Sequence, residues 1–205
     1  MLSIIIGTIL NKSPLIPKSA QSNIGAFSSF AYAGISTFSS IYAKEIGIGK
    51  ASSYFFISYA LALIASRAFA GKLFDRSGAN IVVYPSIILF ALGIIILGMA
   101  TNIFVFLISA AIIGVGNGTL YATLQTMAIL STSKHRTGVA ISTYFLFYDI
   151  GMGMGAYILG MVVAHASFRS MYFLCALVVL FSAVIYYIVY NVKYASGNYN
   201  LTDAE

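Results

Sequence analysis

Six long apolar stretches, separated by short charged breaks, constrain this chain more than any other feature of its sequence. They cover about residues 22–43, 51–70, 81–100, 103–130, 138–165 and 169–191. Each is long enough to cross the hydrocarbon core of a bilayer as a helix. Lipid offers no hydrogen bonds to an exposed backbone, and barrel strands would be shorter and would alternate in polarity. The predicted fold class is therefore all-α transmembrane, a bundle of six helices in a lipid bilayer.

Composition and charge exclude other classes of protein. Apolar residues make up 60% of the 205 residues and charged residues 8%, against roughly a quarter charged in a soluble domain. A disordered chain would need low hydrophobicity, and a disulfide framework would need more than the single Cys175. The net charge of +6 comes from Lys and Arg scattered in ones and twos, so no nucleic-acid partner is expected.

The distribution of Lys and Arg among the breaks predicts the topology. Seven lie in the N-terminal segment, the second and fourth breaks and the C-terminal tail, and three lie in the other breaks. By the positive-inside rule both termini face the cytoplasm. The predicted domains are an interfacial cytoplasmic segment over 1–20, a membrane domain over 21–192 and a cytoplasmic tail over 193–205.

Polar side chains recur every three or four residues along two of the stretches. They are Ser29, Tyr32, Ser36 and Ser40 in the first, and Asn117, Tyr121 and Gln125 in the fourth. This spacing places each set on one helix face, which would be costly to expose to lipid. Either these faces line a water-filled substrate path or they hydrogen-bond neighbouring helices. The third and sixth stretches are apolar nearly all round and are predicted to be peripheral.

Two ionisable residues, Arg67 and Asp149, lie inside stretches, where each would cost roughly 2.5 to 3.5 kcal/mol at a helix centre. Arg67 lies about 8 Å from Lys72 and Asp149 about 16 Å from Gly138 along their helices, so the two side chains could meet. We predict an ion pair between them. The pair is either purely structural, or it sets the proton affinity of Asp149 as a proton-coupling site.

Gly151 and Gly155 form a GxxxG in the fifth stretch. This spacing permits close helix packing, and a glycine cluster can also act as a hinge. Catalytic chemistry is not expected. The two histidines, His135 and His165, lie near the ends of stretches, and the chain has no paired carboxylates or metal-binding motif. The predictions are no enzyme activity and no metal.

The second break reads Gly71, Lys72, Leu73, Phe74, Asp75, Arg76, Ser77, Gly78 and is predicted to be a tight turn. It resembles the signature loop of the major facilitator superfamily, which Gly71, Asp75, Arg76 and Gly78 match. It departs at Ala79 and Asn80, where the family usually has Arg or Lys. The resemblance extends over 42–47, 66–71, 114–125, 136–138 and 147–151, and together these segments look like the C-terminal six helices of a bacterial drug:proton antiporter.

The resemblance implies half of a transporter fold, built as two inverted three-helix repeats in the cytoplasmic membrane. The first and fourth helices would line the substrate path, and the second and fifth would contact another half. The signature loop would act as a gate at the cytoplasm. The implied function is proton-coupled export of small molecules by alternating access, with the proton gradient as energy source and no cofactor.

A complete family member is about twice this length, so the partner is either a missing N-terminal half or a second copy of the chain. The chain would then be a fragment, the product of a split gene, or a homodimer. The alternative function is a truncated or accessory membrane protein without transport activity on its own.

Overall fold

A computed structural model describes residues 18–77, 79–130, 132 and 136–195. These residues form six long helices joined by short connections, with a 3-10 turn at Gly49–Ala51 and no strand in the described ranges. The helices are α1 Lys18–Glu45, α2 Ser52–Ser77, α3 Ala79–Gly98, α4 Ile103–Leu130, α5 Thr137–His165 and α6 Phe168–Ala195. The prediction of an all-α bundle of six helices is confirmed. The domain boundaries predicted at residues 20 and 192 both fall inside helices, and residues 1–17 and 196–205 lie outside the described part.

Four of the described helices are long and apolar enough to cross a membrane. They are α3, α4, α5 and the part of α6 over Phe168–Val189. Helices α1 and α2 have the length, with 28 and 26 residues, but hydroxyl-bearing side chains interrupt their apolar residues. By length and composition, therefore, four of the six predicted spans are supported. The other two have a more polar character.

The helices pack in a pattern that repeats between the two halves of the sequence. Helix α1 packs on α5 and α6, and α4 packs on α2 and α3, while α3 and α6 contact each other. The first three helices and the last three helices have equivalent contacts: α1 packs on α5 and α6 as α4 packs on α2 and α3. Because three successive membrane-crossing helices reverse the direction of the chain, the two sets run in opposite directions, as inverted repeats do.

Small residues set the closest helix contacts. Gly151 lies against the Ala26 carbonyl of α1, and a Cβ added at Gly155 would stand 2.6 Å from the carbonyl oxygen of Phe30. On α4, Gly114 lies against the Tyr59 carbonyl of α2, and Gly118 lies against the Leu63 side chain of the same helix. The GxxxG of α5 therefore lies in the contact with α1, where close approach of two backbones leaves no room for side chains.

The predicted turn over 71–78 is wrong for residues 71–77. Helix α2 continues to Ser77, so Gly71, Asp75 and Arg76 are helical, while Gly78 lies outside the described residues. The segment contains no proline, and one helical glycine costs only about 1 kcal/mol. Backbone hydrogen bonding through the last two turns of α2 outweighs that cost, particularly where little water is available to the peptide groups.

The apolar character of α3 and α6 has two origins. Helix α3 buries Val83, Ile87 and Phe90 in the core and exposes Ile88 and Leu92 on its other side. In α6 the buried set includes Met171, Cys175 and Val179, and the exposed set includes Leu177, Phe181 and Val184. Each helix is apolar all round because one face meets protein and the other is open to lipid.

Hydrogen bonds at the C-terminal end of α3 join three helices. The Tyr42 hydroxyl of α1 donates to the carbonyl oxygens of Ala100 at 3.0 Å and Gly98 at 3.3 Å. Arg169 of α6 donates from Nε to the same Gly98 oxygen at 3.2 Å. Carbonyls at a helix C-terminus have no partner within the helix and carry partial negative charge, so a phenol and a guanidinium are well matched to them.

Candidate functional site

A cluster of tyrosine rings, contributed by four helices, lies beside the two charged residues. We call it the tyrosine cluster, and its members are Tyr32 of α1, Tyr59 of α2, Tyr121 of α4, and Tyr144 and Tyr148 of α5. The ring centroids of Tyr32 and Tyr59 are 5.8 Å apart. Tyr121 lies 5.2 Å from Tyr148 and 6.2 Å from Tyr144. Each of these ring contacts lies within one of the two inverted repeats, and a hydrogen bond from Asn117 of α4 to Tyr59 of α2 joins the repeats.

Asn117 fixes one side of the tyrosine cluster. Its side-chain amide donates a hydrogen bond to the Tyr59 hydroxyl at 3.0 Å, and the Tyr59 ring packs against that of Tyr32. Asn117 is only 3% exposed. Of the two interpretations of the polar face of α4, Asn117 fits the hydrogen bond to a neighbouring helix.

The polar stripe of α1 is divided among different surroundings. Ser29 is fully buried at the contact with α5 and donates to the Ala26 carbonyl at 2.9 Å. Ser36 is half-buried and donates to the Ala33 carbonyl of its own helix at 3.3 Å. Tyr32, also half-buried, is the residue of this stripe that joins the tyrosine cluster.

A cleft of about 330 Å³ opens between α2 and α4, next to the tyrosine cluster. Gln125 and Arg67 both line it, so the structure brings together two residues that the sequence placed in separate groups. Gly71, one turn beyond Arg67, lies at the same cleft. Its remaining lining residues are Phe74, Ala122, Thr123 and Thr126.

Arg67 and Asp149 are both exposed, and they do not form the predicted ion pair within the described chain. Each charge instead acts electrostatically on the Tyr121 hydroxyl. The physical reason lies in the packing: α2 is held against α4 and α5 against α1, so the two charged helices do not pack on each other. Whether Asp149 carries a coupling proton stays a prediction.

The residues predicted to form a cytoplasmic gate are described only in part. Gly71 is exposed, with no heavy atom within 4 Å of where a Cβ would lie. The side chains of Asp75 and Arg76, and all of Gly78, lie outside the described part. Their role as a gate stays a prediction.

Sequence reasoning missed Tyr59, Tyr144 and Tyr148. Two signals were present: Tyr144 and Tyr148 are one helical turn apart, and Tyr148 directly precedes Asp149. Tyrosine is so common at membrane interfaces that such spacing carries little weight by itself. Within the described residues, no group of three or more His, Cys, Asp or Glu side chains is arranged to hold a metal ion.

Comparisons with known proteins agree with this architecture. Residues 22–203 match the family model described as Major Facilitator Superfamily. An uncharacterised MFS-type transporter of Methanocaldococcus jannaschii is 28% identical over 158 residues, which are 76% of this chain and 40% of the relative. Multidrug resistance protein MdtG of Salmonella choleraesuis is 28% identical over 155 residues, 71% of this chain and 37% of the relative.

The staphylopine export protein of Staphylococcus aureus is 23% identical over 156 residues, covering 74% of this chain and 39% of the relative. The chain thus matches about two fifths of the length of each of these proteins. The family match covers most of the chain and coincides with the six-helix bundle and its inverted repeats. The chain therefore belongs to the major facilitator superfamily and is a multi-pass integral membrane protein.

Proposed function

We propose that this chain forms one six-helix half of a secondary active transporter, which exports small molecules in exchange for protons by alternating access. The observation that carries the proposal is the position of the polar and charged groups. Tyr32 and Tyr121 of the tyrosine cluster are half-buried, and both intramembrane charges, Arg67 and Asp149, are exposed. Relatives named for multidrug resistance and for staphylopine export support the direction of transport.

The proposed substrate path begins at the half-buried members of the tyrosine cluster. Tyr32 and Tyr121 are half-buried, and their rings offer apolar faces together with hydroxyl groups. Ser36 extends this surface along α1, and Gln125 extends it into the cleft beside Arg67. Asn117 would act as a positioning residue, because it bonds to the Tyr59 hydroxyl and the Tyr59 ring packs against Tyr32. Such a surface suits a small amphipathic molecule.

Asp149 is the proposed proton-coupling residue. It lies twelve residues inside α5, whereas Glu45 is the last residue of α1 and Asp75 is two residues from the end of α2. A carboxylate in mid-helix can pass a proton across the membrane if each side of the membrane has access to it in turn. Arg67 would modulate that step through its charge, since both residues act on Tyr121.

The remaining elements of the proposal concern orientation and gating. Helices α2 and α5 would face a second six-helix half, both termini would face the cytoplasm, and the membrane would be the cytoplasmic membrane. Gly71, Asp75, Arg76 and Gly78 would then control the cytoplasmic opening of the path. The proton gradient would supply the energy without a cofactor.

Proton-coupled flux tests this function. The purified full chain is reconstituted in liposomes with a pH-sensitive dye inside, and tetraphenylphosphonium serves as the probe cation. Asp149→Asn should abolish probe-driven proton movement while leaving exchange of the probe largely intact. Glu45→Gln, which removes a carboxylate at a helix end, should not change either rate.

Retention of proton movement by Asp149→Asn would refute the coupling role. Loss of the protein from the membrane would assign Asp149 a structural role instead. Absence of probe-driven flux in the unaltered chain would favour the alternative, a membrane protein without transport activity of its own.

A further inference from the structure

We infer that a second copy of this chain binds the open faces of α2 and α5, with Arg67 of each copy paired with Asp149 of the other. This second copy would be the second six-helix half that the proposed transport function requires. The inference rests on the proposed function only because both use Arg67 and Asp149. Its evidence is the charge and geometry of the two helices, and its test measures association rather than flux.

Two opposite charges lie on different helices of one chain, and they do not pair with each other. Arg67 is exposed on α2, Asp149 is exposed on α5, and no ion pair joins them within the described chain. A charge left facing hydrocarbon is strongly unfavourable, so each requires either water or an opposite charge. The two helices pack on α4 and α1 rather than on each other, which keeps the opposite charges on separate open faces.

The open faces are extensive on both helices. In the most apolar segment of α5 only 17% of the residues are buried, against 56% in the corresponding segments of α3 and α4. Ile150, Met154 and Tyr157 are exposed around Asp149, and Leu61 and Ile64 are exposed close to Arg67. Asp149 therefore lies within an apolar surface, and Arg67 lies where an apolar surface meets the polar cleft between α2 and α4.

The two charges lie at matching depths. Helix α2 ends at Ser77 and α5 begins at Thr137, on the same side of the bundle, since two helices separate them. Arg67 is ten residues from its helix end and Asp149 is twelve from its own, which corresponds to about 15 and about 18 Å. A difference of about 3 Å is well within the reach of an arginine side chain.

A two-fold axis along the membrane normal keeps both copies in the same orientation and therefore preserves these depths. It brings α2 of one copy to α5 of the other, and at the same time α5 to α2. The contact is isologous, so both Arg67–Asp149 pairs form together and no charge is left over. Planar guanidinium and carboxylate groups can form two parallel hydrogen bonds in each pair.

Each charged residue has a glycine one turn away on the same helix face. Gly153 follows Asp149 by four residues, and Gly71 follows Arg67 by four. Both glycines are exposed, and no heavy atom of the described residues lies within 4 Å of where their Cβ would be. The surface beside each charge therefore lacks a side chain and leaves space for a long arginine from the other copy.

Substitutions that reverse the charge at position 67 or 149 test the inference. The mass of the full chain is measured by native mass spectrometry after release from nanodiscs, with bound lipid subtracted, and the unaltered chain should be a dimer. Arg67→Asp places two carboxylates opposite each other at both contacts, and Asp149→Arg does the same with two guanidinium groups. Each variant alone should dimerise about 100-fold more weakly or worse, because like charges then face each other at both contacts.

The decisive arm is co-expression of the two variants with different tags. In a mixed dimer every contact again joins one Arg to one Asp, so the two variants should dimerise with each other and not with themselves. A pair formed within one chain would show no such rescue. Lys50→Asp and Glu45→Arg make the same charge changes at exposed positions away from both faces, and they should leave the dimer unchanged.

Circular dichroism of each variant checks that the helices are formed, and the double variant Arg67→Asp, Asp149→Arg in one chain should dimerise with itself. A monomeric unaltered chain would overturn the inference, as would a dimer that survives both single variants. Failure of the two folded single variants to associate with each other would also overturn it. None of these outcomes depends on transport, so loss of the proposed function and loss of the proposed dimer are distinguishable.

Discussion

Replacing Tyr42 by phenylalanine removes one oxygen atom from the place where α1, α3 and α6 meet. The Tyr42 side chain is 4% exposed, and its hydroxyl donates to the carbonyl oxygens of Ala100 and Gly98. The Gly98 oxygen keeps Arg169 as a second donor, whereas the Ala100 oxygen loses the phenol. Leaving one buried acceptor without this donor should lower the free energy of unfolding by about 1 to 3 kcal/mol.

Tyr172 provides a matched control for this substitution. It is fully buried, its ring lies 5.2 Å from that of Tyr42, and its hydroxyl has no hydrogen-bond partner among the described residues. Tyr172→Phe removes the same atom from the same aromatic group. Because it relieves an unsatisfied buried hydroxyl, it should leave the free energy of unfolding unchanged or raise it.

The free energies are measured by SDS titration of the protein in mixed micelles, followed by circular dichroism. Combining Tyr42→Phe with Arg169→Leu should destabilise the protein by more than the sum of the two, since the Gly98 carbonyl then loses both donors. Equal effects of Tyr42→Phe and Tyr172→Phe would refute the reasoning. So would strict additivity of the Tyr42 and Arg169 substitutions.

Two further matched pairs of substitutions test the packing and the candidate site by the same titration. Gly155→Ala should cost about 1 to 3 kcal/mol by forcing a methyl group against the backbone of α1, whereas Gly138→Ala, with open space around it, should be neutral or stabilising. Equal effects of these two would contradict the close α1–α5 contact. Asn117→Leu should cost about 1 to 3 kcal/mol by removing the donor to Tyr59, and Gln125→Leu, at the cleft, less than about 0.5 kcal/mol. A large effect at Gln125 would contradict its position at an open surface.

The six helices could be predicted because the helical hydrogen bond is local and the bilayer demands it. The fourth stretch was predicted over 103–130, and α4 has those bounds. The second stretch was predicted to end at residue 70, and α2 runs on to Ser77. Charge and glycine marked the membrane boundary there, but neither stops a helix, because a helix continues wherever its backbone can still bond to itself.

The candidate site was predicted less completely than the fold. Helical periodicity places Asn117, Tyr121 and Gln125 on one face of α4, yet each has a different environment. Asn117 is buried against Tyr59, Tyr121 is in the tyrosine cluster, and Gln125 lines the cleft. A period identifies a face of a helix, but the residues that cover this face come from segments far away in sequence.

The sequence alone determined that this chain is a bundle of membrane helices, that polar residues lie in stripes on two of them, and that two opposite charges lie several turns from the ends of their helices. These properties follow from local hydrogen bonding and from the cost of polar groups in hydrocarbon. Only the tertiary structure decided which helices touch, and so left Arg67 and Asp149 on separate open faces. The physical reason is that the free energy of an apolar side chain is similar against lipid and against protein. Hydrophobicity therefore does not decide which helices pack on each other. Close approach of two backbones at small residues such as Gly151 and Gly155 decides it.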